Sequence, residues 1–356
     1  MDSSVAVARS LTVNCVEPCT DPGWARLAAG PSAGLFHSPP WLRAIADTYA
    51  FALRAWMVAD DSGTPDGGVA FCELNDLGGH RVVCLPFSDC ADPLFTSAAV
   101  WHALLQQLQS AGVPVHLRCL FEDRVQPEDG LSITSRACWH RLAVTGCEED
   151  LWRRIAQPAR RSIRRAQRAG VEIRPLHGDA DRAAFHRMHV ALRKRKYRLL
   201  AQPPRFLEAL EDRFQGGQGW QALAAVHEGR MIAATIYLRW GNVLYYKFNA
   251  SEADALALRP NHALVWAGVQ LAKRIGCTAL DLGPSRSDQP GLVRFKHSFG
   301  AEEFLLRFMS WTPPGWRQAT PPGPGPLAQI MKVLTSPEVP DEVTARAGAA
   351  LYRFLA

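Results

Sequence analysis

Arginine residues are concentrated in one part of the sequence, where their spacing could hold phosphate groups. Residues 153–198 contain 15 basic side chains against three acidic ones. Arg160, Arg161, Arg164 and Arg165 recur at i, i+4 spacing on a predicted helix, and guanidinium groups on adjacent turns can grip one phosphate. A second basic cluster could contact a pyrophosphate or the acceptor end of a tRNA; it comprises Arg193, Lys194, Arg195, Lys196, Tyr197 and Arg198. Both clusters could instead be solvated helix surfaces.

A lysine near the C-terminal end is a candidate for electrostatic catalysis. The chain has only six lysines, and Lys296 lies between Phe295 and Gly300. A fixed cation in a partly dry site stabilises the oxyanion that forms when an amine attacks an ester or thioester. Asp281 ends a predicted strand facing the same loop, where it could orient Lys296 or the attacking amine, or only cap a turn through Gly283. The simpler alternative for Lys296 is a surface lysine beside a turn.

Two further groups of polar residues have a spacing worth interpreting. Tyr245, Tyr246 and Lys247 follow one another on a predicted strand, so one tyrosine belongs to the core and the other can line a groove. We select Tyr246 and Lys247 as substrate-binding residues. His186 and His189 lie three residues apart on a predicted helix, but no acidic or cysteine partner completes a metal site, so we interpret both as structural and predict no metal.

Several function classes lack their sequence signatures. The chain contains no Gly-x-Ser-x-Gly elbow, no P-loop and no Rossmann fingerprint. A serine hydrolase and a nucleotide-hydrolysing enzyme are therefore disfavoured. Nine scattered cysteines form neither a CxxC pair nor a zinc-like spacing, which favours reduced thiols in the cytosol. No apolar stretch is long enough to span a membrane and no secretory signal is visible, so we expect a cytoplasmic protein without membrane insertion.

The charge of the chain is divided unevenly. Residues 1–150 carry 9 arginines, no lysine and 18 acidic residues, whereas residues 151–356 carry 31 basic and 16 acidic residues. The basic half indicates a polyanionic, phosphate-bearing partner or substrate. The acidic half argues against a protein that coats nucleic acid along its whole length. Alternatively, the two halves attract each other.

The elements that must position these residues alternate between strands and helices in both halves. The pattern predicts an α/β (α+β) chain of two similar units, at residues 1–150 and 151–311, followed by a proline-rich linker and a C-terminal helix at 312–356. In the second unit a basic helix at 151–169 precedes a helix at 179–196, three strands between 221 and 249, a helix at 261–275 and a strand at 279–282.

One segment carries a recognisable motif. Residues 261–308 combine an apolar helix, a strand that ends in Asp281, Leu282 and Gly283, a polar loop, and the sequence GLVRFKHSFG at 291–300. This resembles the C-terminal motif of the Fem-type (FemABX) aminoacyltransferases, which share the GNAT fold. The basic helix at 160–166 is similar to the basic helix of that family, and residues 35–41, which end in Trp41, are similar to its N-terminal signature. We select Trp41 as a further substrate-binding residue.

The resemblance implies two tandem GNAT-like domains, each with a mixed, mostly antiparallel sheet flanked by helices. It also implies transfer of an aminoacyl group from aminoacyl-tRNA to an amine, on a UDP- or lipid-linked cell-wall peptide precursor or on a small natural-product acceptor, without a cofactor. Phe295 and Lys296 of the FK motif are then expected at the reacting centre, with Asp281 as a third catalytic candidate. No heptad pattern indicates the long helical hairpin of the cell-wall members, which weakens the inference to peptidoglycan.

Two alternatives remain open. The first is an acyl-CoA-dependent N-acyltransferase of the same fold, whose members cradle the pyrophosphate on a glycine-rich turn after a central strand. The corresponding junction here, residues 250–260, contains no glycine, so backbone amides cannot approach a pyrophosphate as closely. The second is a non-catalytic binding module that has kept the fold.

Overall fold

A computed structural model describes residues 11–60, 62–121, 124–127, 130–216, 219–316 and 325–356. The strands are β1 (Thr12–Val16), β2 (Leu53–Ala59), β3 (Pro65–Asp76), β4 (Gly79–Val83), β5 (Leu94–Phe95), β6 (Val115–Cys119), β7 (Ser132–Ala143), β8 (Glu172–Pro175), β9 (Trp220–His227), β10 (Arg230–Trp240), β11 (Val243–Ser251), β12 (Ala279–Arg286) and β13 (Glu302–Trp311). The helices are α1 (Pro22–Ala28), α2 (Pro39–Tyr49), α3 (Ala98–Gln109), α4 (Glu148–Arg154), α5 (Gln157–Arg168), α6 (Gly178–Leu192), α7 (Pro204–Phe214), α8 (Pro260–Arg274), α9 (Pro290–His297), α10 (Pro326–Leu334) and α11 (Asp341–Leu351).

The strands join into one continuous sheet in which the two halves of the chain exchange a strand. The order is β1-β2-β3-β4-β6-β13-β7-β12-β11-β10-β9-β8, with β5 paired to β3. The late strand β13 completes the first half by pairing with β6, and the early strand β7 completes the second half by pairing with β12. The two exchanged strands pair antiparallel with each other at the centre.

Each half contains one parallel strand pair among antiparallel neighbours. In the first half β4 pairs with β6 over two residues. In the second half β11 pairs with β12 only from Val243 and Ala279 to Tyr245 and Asp281. Beyond these residues the two strands diverge, because β12 continues in register with β7 while β11 continues with β10. The divergence opens a wedge at the carboxyl ends of β11 and β12.

Helix α8 lies against the second half of the sheet at unusually close range. Gly268 faces the buried ring of Tyr237, and a Cβ at this glycine would lie 2.5 Å from the tyrosine hydroxyl. That hydroxyl donates to the carbonyl of Leu264 at 2.8 Å. Helix α5 then packs on α8 through its apolar face, which carries Ala159 and Ile163. The arginines of α5 are therefore left on the opposite, outward side.

The structure confirms the α/β class, with one mixed, mostly antiparallel sheet and helices packed against it, and it changes three element predictions. The helix predicted at 151–169 is two helices, because the ring of Pro158 would clash with the carbonyl of Arg154 in an unbroken helix. Residues 291–296, for which the sequence analysis predicted no helix, form most of α9, which Pro290 opens. The C-terminal helix is shorter than predicted and ends in a 3₁₀ turn.

Two other predictions concern the domain boundaries and insertion into a membrane. The domain boundaries at 150 and 311 remain predictions, and the linker proposed at 312–326 lies mostly outside the described residues. Among the described helices, none is both long and apolar enough to cross a membrane.

Candidate active site

A β-bulge on β11 directs Lys247 into the space between the two halves. Ile236 of β10 pairs with Phe248, whereas the next residue, Tyr237, pairs with Tyr246, so Lys247 is the extra residue of the bulged strand. A bulge re-aims the side chain that it inserts and is frequent beside active sites. The Lys247 side chain therefore reaches the aromatic residues of the first half.

Lys247 forms a desolvated cationic centre. Its side chain is 8% exposed, and its ammonium group forms an ion pair with the carboxylate of Asp89. The same Nζ lies 4.9 Å from the ring centroid of Phe36 and 5.1 Å from that of Trp41. Aromatic faces attract a cation most strongly where water is excluded. Lys247 is thus held in a fixed position at the junction of the halves.

The loop that presents Asp89 has a strained backbone. Leu85 and Phe87 have φ angles of 65° and 56°, in the left-handed region that larger side chains rarely adopt. Between them and Asp89, the hydroxyl of Ser88 accepts a hydrogen bond of 3.0 Å from Nε1 of Trp41. Strain of this kind persists where the surrounding structure enforces it and is common at functional sites.

Lys296 is buried in the wedge and bound to backbone carbonyls. Its Nζ donates to the carbonyls of Gly283 and Pro284, each at 2.8 Å. Burial lowers the pKa of Lys296 to about 8, and the negative charges of Asp281 and Asp89 oppose this shift. Lys296 is therefore an internal cation with a depressed pKa, and the surface alternative is wrong.

Asp281 is a buried anion whose oxygens are occupied. Its Oδ2 accepts from Nε1 of Trp139 at 2.9 Å and from Nη2 of Arg141 at 3.0 Å, and its Oδ1 accepts from the backbone N–H of Gly283 at 2.9 Å. Burial raises the pKa of Asp281, and the Arg141 guanidinium opposes that shift. Gly283 has a φ of 66°, so the turn that Asp281 caps needs a glycine. By capping this turn, Asp281 positions the carbonyls that bind Lys296. It forms no hydrogen bond with Lys296 itself.

A cavity of about 430 Å³ lies beside these residues, between the two halves. Its volume lies within the range of small-molecule sites. Phe36, Asp92 and Arg141 line it from the first half of the chain, and Tyr245 lines it from the second half. The Tyr245 hydroxyl accepts from the backbone N–H of Leu35 at 3.2 Å, which ties the two halves together at the cavity.

The positions of three predicted site residues need correction. Tyr246, selected for the groove, faces the α8 side of the sheet and packs against Tyr237, whereas Tyr245 lines the cavity. Because side chains alternate between the two faces of β11, one of the two tyrosines had to lie in the core, and the sequence did not indicate which one. Phe295 points away from Lys296 and contacts the rings of His262 and Phe299.

Trp41 also differs from its prediction as a substrate-binding residue. It is fully buried, so its ring packs against the ammonium group of Lys247 and is not accessible to a substrate. Its role is to fix the cation and, through Ser88, the Asp89 loop.

The predicted phosphate grip on α5 lies at the surface. Arg161, Arg164 and Arg165 are exposed and Arg160 is half-buried. Arg164 stacks over the ring of Trp152, 5.5 Å from its centroid. Within the ranges that the structure describes, none of these four arginines forms an ion pair. They remain free to bind an external anion.

The second basic cluster has a different role from the one predicted. Arg193 donates to the carbonyl of Leu200 at 3.0 Å and lies over the ring of Tyr352. Lys194 and Arg195 both pair with Asp341. This cluster therefore fastens the C-terminal helices. Tyr197, expected to bind substrate, is half-buried at the end of the same segment and contacts Lys196.

The junction between β11 and α8 has little capacity to cradle a pyrophosphate. The amides of Ala255, Leu258 and Arg259 donate to carbonyls within the junction itself. The first residue of α8, Pro260, has no N–H, and the N–H of His262 donates to the Arg259 carbonyl at 3.1 Å. The glycine-free sequence thus forms a closed turn.

A larger groove, of about 970 Å³, lies away from the wedge. It is bordered by the β3–β4 turn, by α10 and by the C-terminal residues, and among the residues singled out in the sequence only Arg198 lines it. Neither Lys247 nor Lys296 lines this groove, so the junction of the halves is the candidate active site.

Comparisons with known proteins agree with this architecture. Residues 153–297 match the family model described as the acetyltransferase (GNAT) domain. The chain matches no curated protein sequence.

Solved structures extend the likeness to most of the chain. The crystal structure of FemX is 12% identical, with a TM-score of 0.62 over 80% of this chain and 94% of FemX. A tandem GNAT protein from the clavulanic acid biosynthesis pathway is 15% identical, with a TM-score of 0.52 over 87% of this chain and 100% of that protein. The N-myristoyltransferase of Saccharomyces cerevisiae is 10% identical, with a TM-score of 0.50 over 87% of this chain and 85% of the enzyme.

The fold and the family match define the class of protein. Both halves have the GNAT architecture, and the second half carries the matched domain. The chain therefore has a tandem GNAT fold that it shares with FemX, and its second half matches the acetyltransferase (GNAT) domain.

Proposed function

We propose that this acyltransferase moves an aminoacyl group from aminoacyl-tRNA to the amine of an acceptor bound between its two halves. The acceptor is a cell-wall precursor or a small natural-product amine. Two observations together carry the proposal: the arginines of α5 form no ion pair within the described residues, and the junction before α8 has little capacity to cradle a pyrophosphate. A tRNA offers many phosphates to a basic surface, whereas CoA depends on a compact amide cradle.

The basic surface lies where a donor would enter. Ala166 of α5 packs with Ala255 and Ala263, so the C-terminal end of α5 adjoins the start of α8. The wedge between β11 and β12 opens at this same end of the strands. A nucleic acid held on the arginines of α5 can therefore direct its 3′ end towards the wedge.

Two lysines supply positive charge near the expected reaction. Attack of the acceptor amine on the aminoacyl ester generates an oxyanion, which a preorganised cation stabilises. Lys247 is fixed by Asp89 and by two aromatic rings, and Lys296 by two carbonyls. The cavity beside them supplies the acceptor site, and its acidic group Asp92 is buried in the wall.

The test of the donor is a binding comparison on matched variants. Arg161→Glu with Arg165→Glu reverses two exposed charges of α5 that take no part in the core. We expect weaker tRNA binding and a salt dependence reduced by about one unit of slope for each phosphate that the variant no longer binds. Arg346→Glu, on an exposed position of α11, is the control and should change neither. Tight CoA binding without tRNA binding, or indifference to the α5 reversal, would contradict the proposal.

A further inference from the structure

Three potential metal ligands from three separate elements converge beside Lys296. His140 comes from β7, His297 from α9 and Glu303 from β13, and their ligand atoms all lie within 4.8 Å of one another. Nε2 of His140 lies 3.3 Å from Oε2 of Glu303, and Nε2 of His297 lies 2.9 Å from the same oxygen. Ligands about 2.0–2.1 Å from a tetrahedral zinc ion are separated by roughly 3.3 Å, so this spacing suits a shared metal.

The buried imidazole of His140 lacks a well-formed hydrogen bond, and a metal ion would give it a partner. Its side chain is fully buried; within the described chain Nδ1 has no hydrogen-bond partner, and the contact of Nε2 with Glu303, at 3.3 Å, does not meet hydrogen-bond geometry. A buried polar atom without a partner is costly and needs an explanation such as an ion. Its Nε2 is directed towards Glu303, and the carboxylate is 39% exposed, so an ion can enter from solvent.

The hydrogen bonding of His297 leaves its other nitrogen free to coordinate. Nδ1 lies 3.3 Å from the carbonyl of Ala301, which can only accept, so Nδ1 carries the proton. Nε2 is then the nitrogen that faces the Glu303 carboxylate, at 2.9 Å, and either a proton or a metal ion can lie between these two atoms. A backbone carbonyl behind a histidine ligand is the usual outer partner in metal sites.

We propose that His140, His297 and Glu303 bind a divalent transition-metal ion, with zinc as the best match. Two imidazoles and one carboxylate are a common zinc ligand set that leaves a fourth position for water or another side chain. Cys138, which hydrogen-bonds to Glu303, is a thiol beside the site that could take that position. The ion would join β7, β13 and α9, and it would hold the helix that carries Lys296 against the exchanged strands.

The ligands were not visible as a motif because they lie far apart in the sequence. His140 is separated from His297 by more than 150 residues, and β7 and β13 become neighbours only through the strand exchange. The two histidines that do have regular spacing, His186 and His189, both contact Gln202.

Zinc binding to the full chain, stripped with a chelator, tests the site. Isothermal titration against a competing chelator should show one tight zinc equivalent, and cobalt should give the visible absorption bands of a tetrahedral site. His297→Gln and Glu303→Gln change exposed ligands and preserve the buried core. Each should weaken zinc binding by about tenfold or more, since loss even of an outer partner costs that much. Zinc should raise the melting temperature of the wild type and not that of His297→Gln.

The controls separate this site from adventitious binding. His80→Gln removes an exposed histidine that pairs with Glu73 at 2.6 Å without a third ligand, and it should leave zinc affinity unchanged. Cys138→Ser should abolish any sulfur-to-cobalt charge-transfer band if the thiol is the fourth ligand, while the visible bands persist. Equal zinc affinity in wild type, His297→Gln and Glu303→Gln would overturn the proposal and leave Glu303 as an ion-pair partner of a protonated histidine.

Discussion

At the scale of single residues, the site depends on two lysines whose charges are held away from water. Lys296 is 4% exposed and satisfies two carbonyls, whereas Lys247 rests on aromatic rings beside Asp89. The sequence indicated both lysines, but it could not supply their partners. Asp89 and Arg141 belong to the first half of the chain, and no local pattern marks either of them.

The depressed pKa of Lys296 predicts how stability depends on pH. Since its pKa falls from 10.5 to about 8 on folding, the unfolded chain binds more protons than the native protein between these values. The cost of burying the charge is fully present below pH 8, and stability rises with pH from about 8 to 10.5.

Lys296→Met removes this contribution. We expect the free energy of unfolding of the wild type, measured relative to the variant, to rise by up to about 3 kcal/mol over that interval. Denaturant titrations at pH 7.5, 9 and 10 would measure the difference. Parallel curves for the two proteins would show that the pKa of Lys296 is not depressed.

Substitution of the other lysine should affect rate more than folding. Lys247→Met keeps an apolar stem against Phe36 and Trp41, where a thioether packs well. Loss of the cation should lower kcat by about 10²-fold, the usual cost of one oxyanion-stabilising group. Steady-state kinetics with a melting curve would separate the two effects.

The matched control for this variant is Lys273→Met, which changes a lysine bound to the carbonyl of Gly146 outside the site. It should keep full activity. A Lys247→Met enzyme as fast as the control would remove Lys247 from the mechanism.

At the scale of elements, the wedge depends on how closely α8 approaches the sheet. The helix was predicted from its apolar pattern nearly at its observed bounds, because local spacing determines it. The break before α5 was missed although Pro158 signals it, and α9 was missed because its single short stretch of helix has no periodicity to detect.

Two glycine-to-alanine substitutions test how closely α8 packs against the sheet. At Gly268 the added methyl group would lie 2.5 Å from the hydroxyl of the buried Tyr237, so the helix or the ring must move. We expect a loss of about 1–3 kcal/mol, the usual cost of overpacking. Gly291→Ala, in α9, meets no atom within 4 Å and should be neutral or slightly stabilising. Urea unfolding of both variants measures this, and equal stabilities would show that α8 is not tightly seated.

At the scale of the whole molecule, the exchange of β7 and β13 makes the halves interdependent. The tandem architecture followed from the resemblance and from two similar series of elements, but the exchange joins strands distant in sequence, which periodicity cannot reveal. The charge pattern also did not reveal that three members of the second basic cluster contact other parts of the same chain, including the C-terminal helices.

If the chain is divided after residue 150, the C-terminal fragment should therefore not fold on its own. A fragment of residues 151–356 lacks β7, so β12 and β13 are each left without an antiparallel neighbour. We expect this fragment to be unfolded or aggregated, and the full chain to unfold in one transition by both tryptophan fluorescence and circular dichroism. A fragment that folds alone with native-like spectra would contradict the interdependence.

The most direct test of the account is the identity of the acyl donor. Purified protein would be incubated with pooled labelled aminoacyl-tRNAs or pooled labelled acyl-CoAs, together with a small set of amines and UDP-linked peptides. We predict that label moves from tRNA to an acceptor amine and that ribonuclease treatment of the donor abolishes this transfer. The charge reversal on α5 should slow the transfer. Transfer from acyl-CoA alone would contradict this prediction and would show that the closed junction before α8 admits CoA after all.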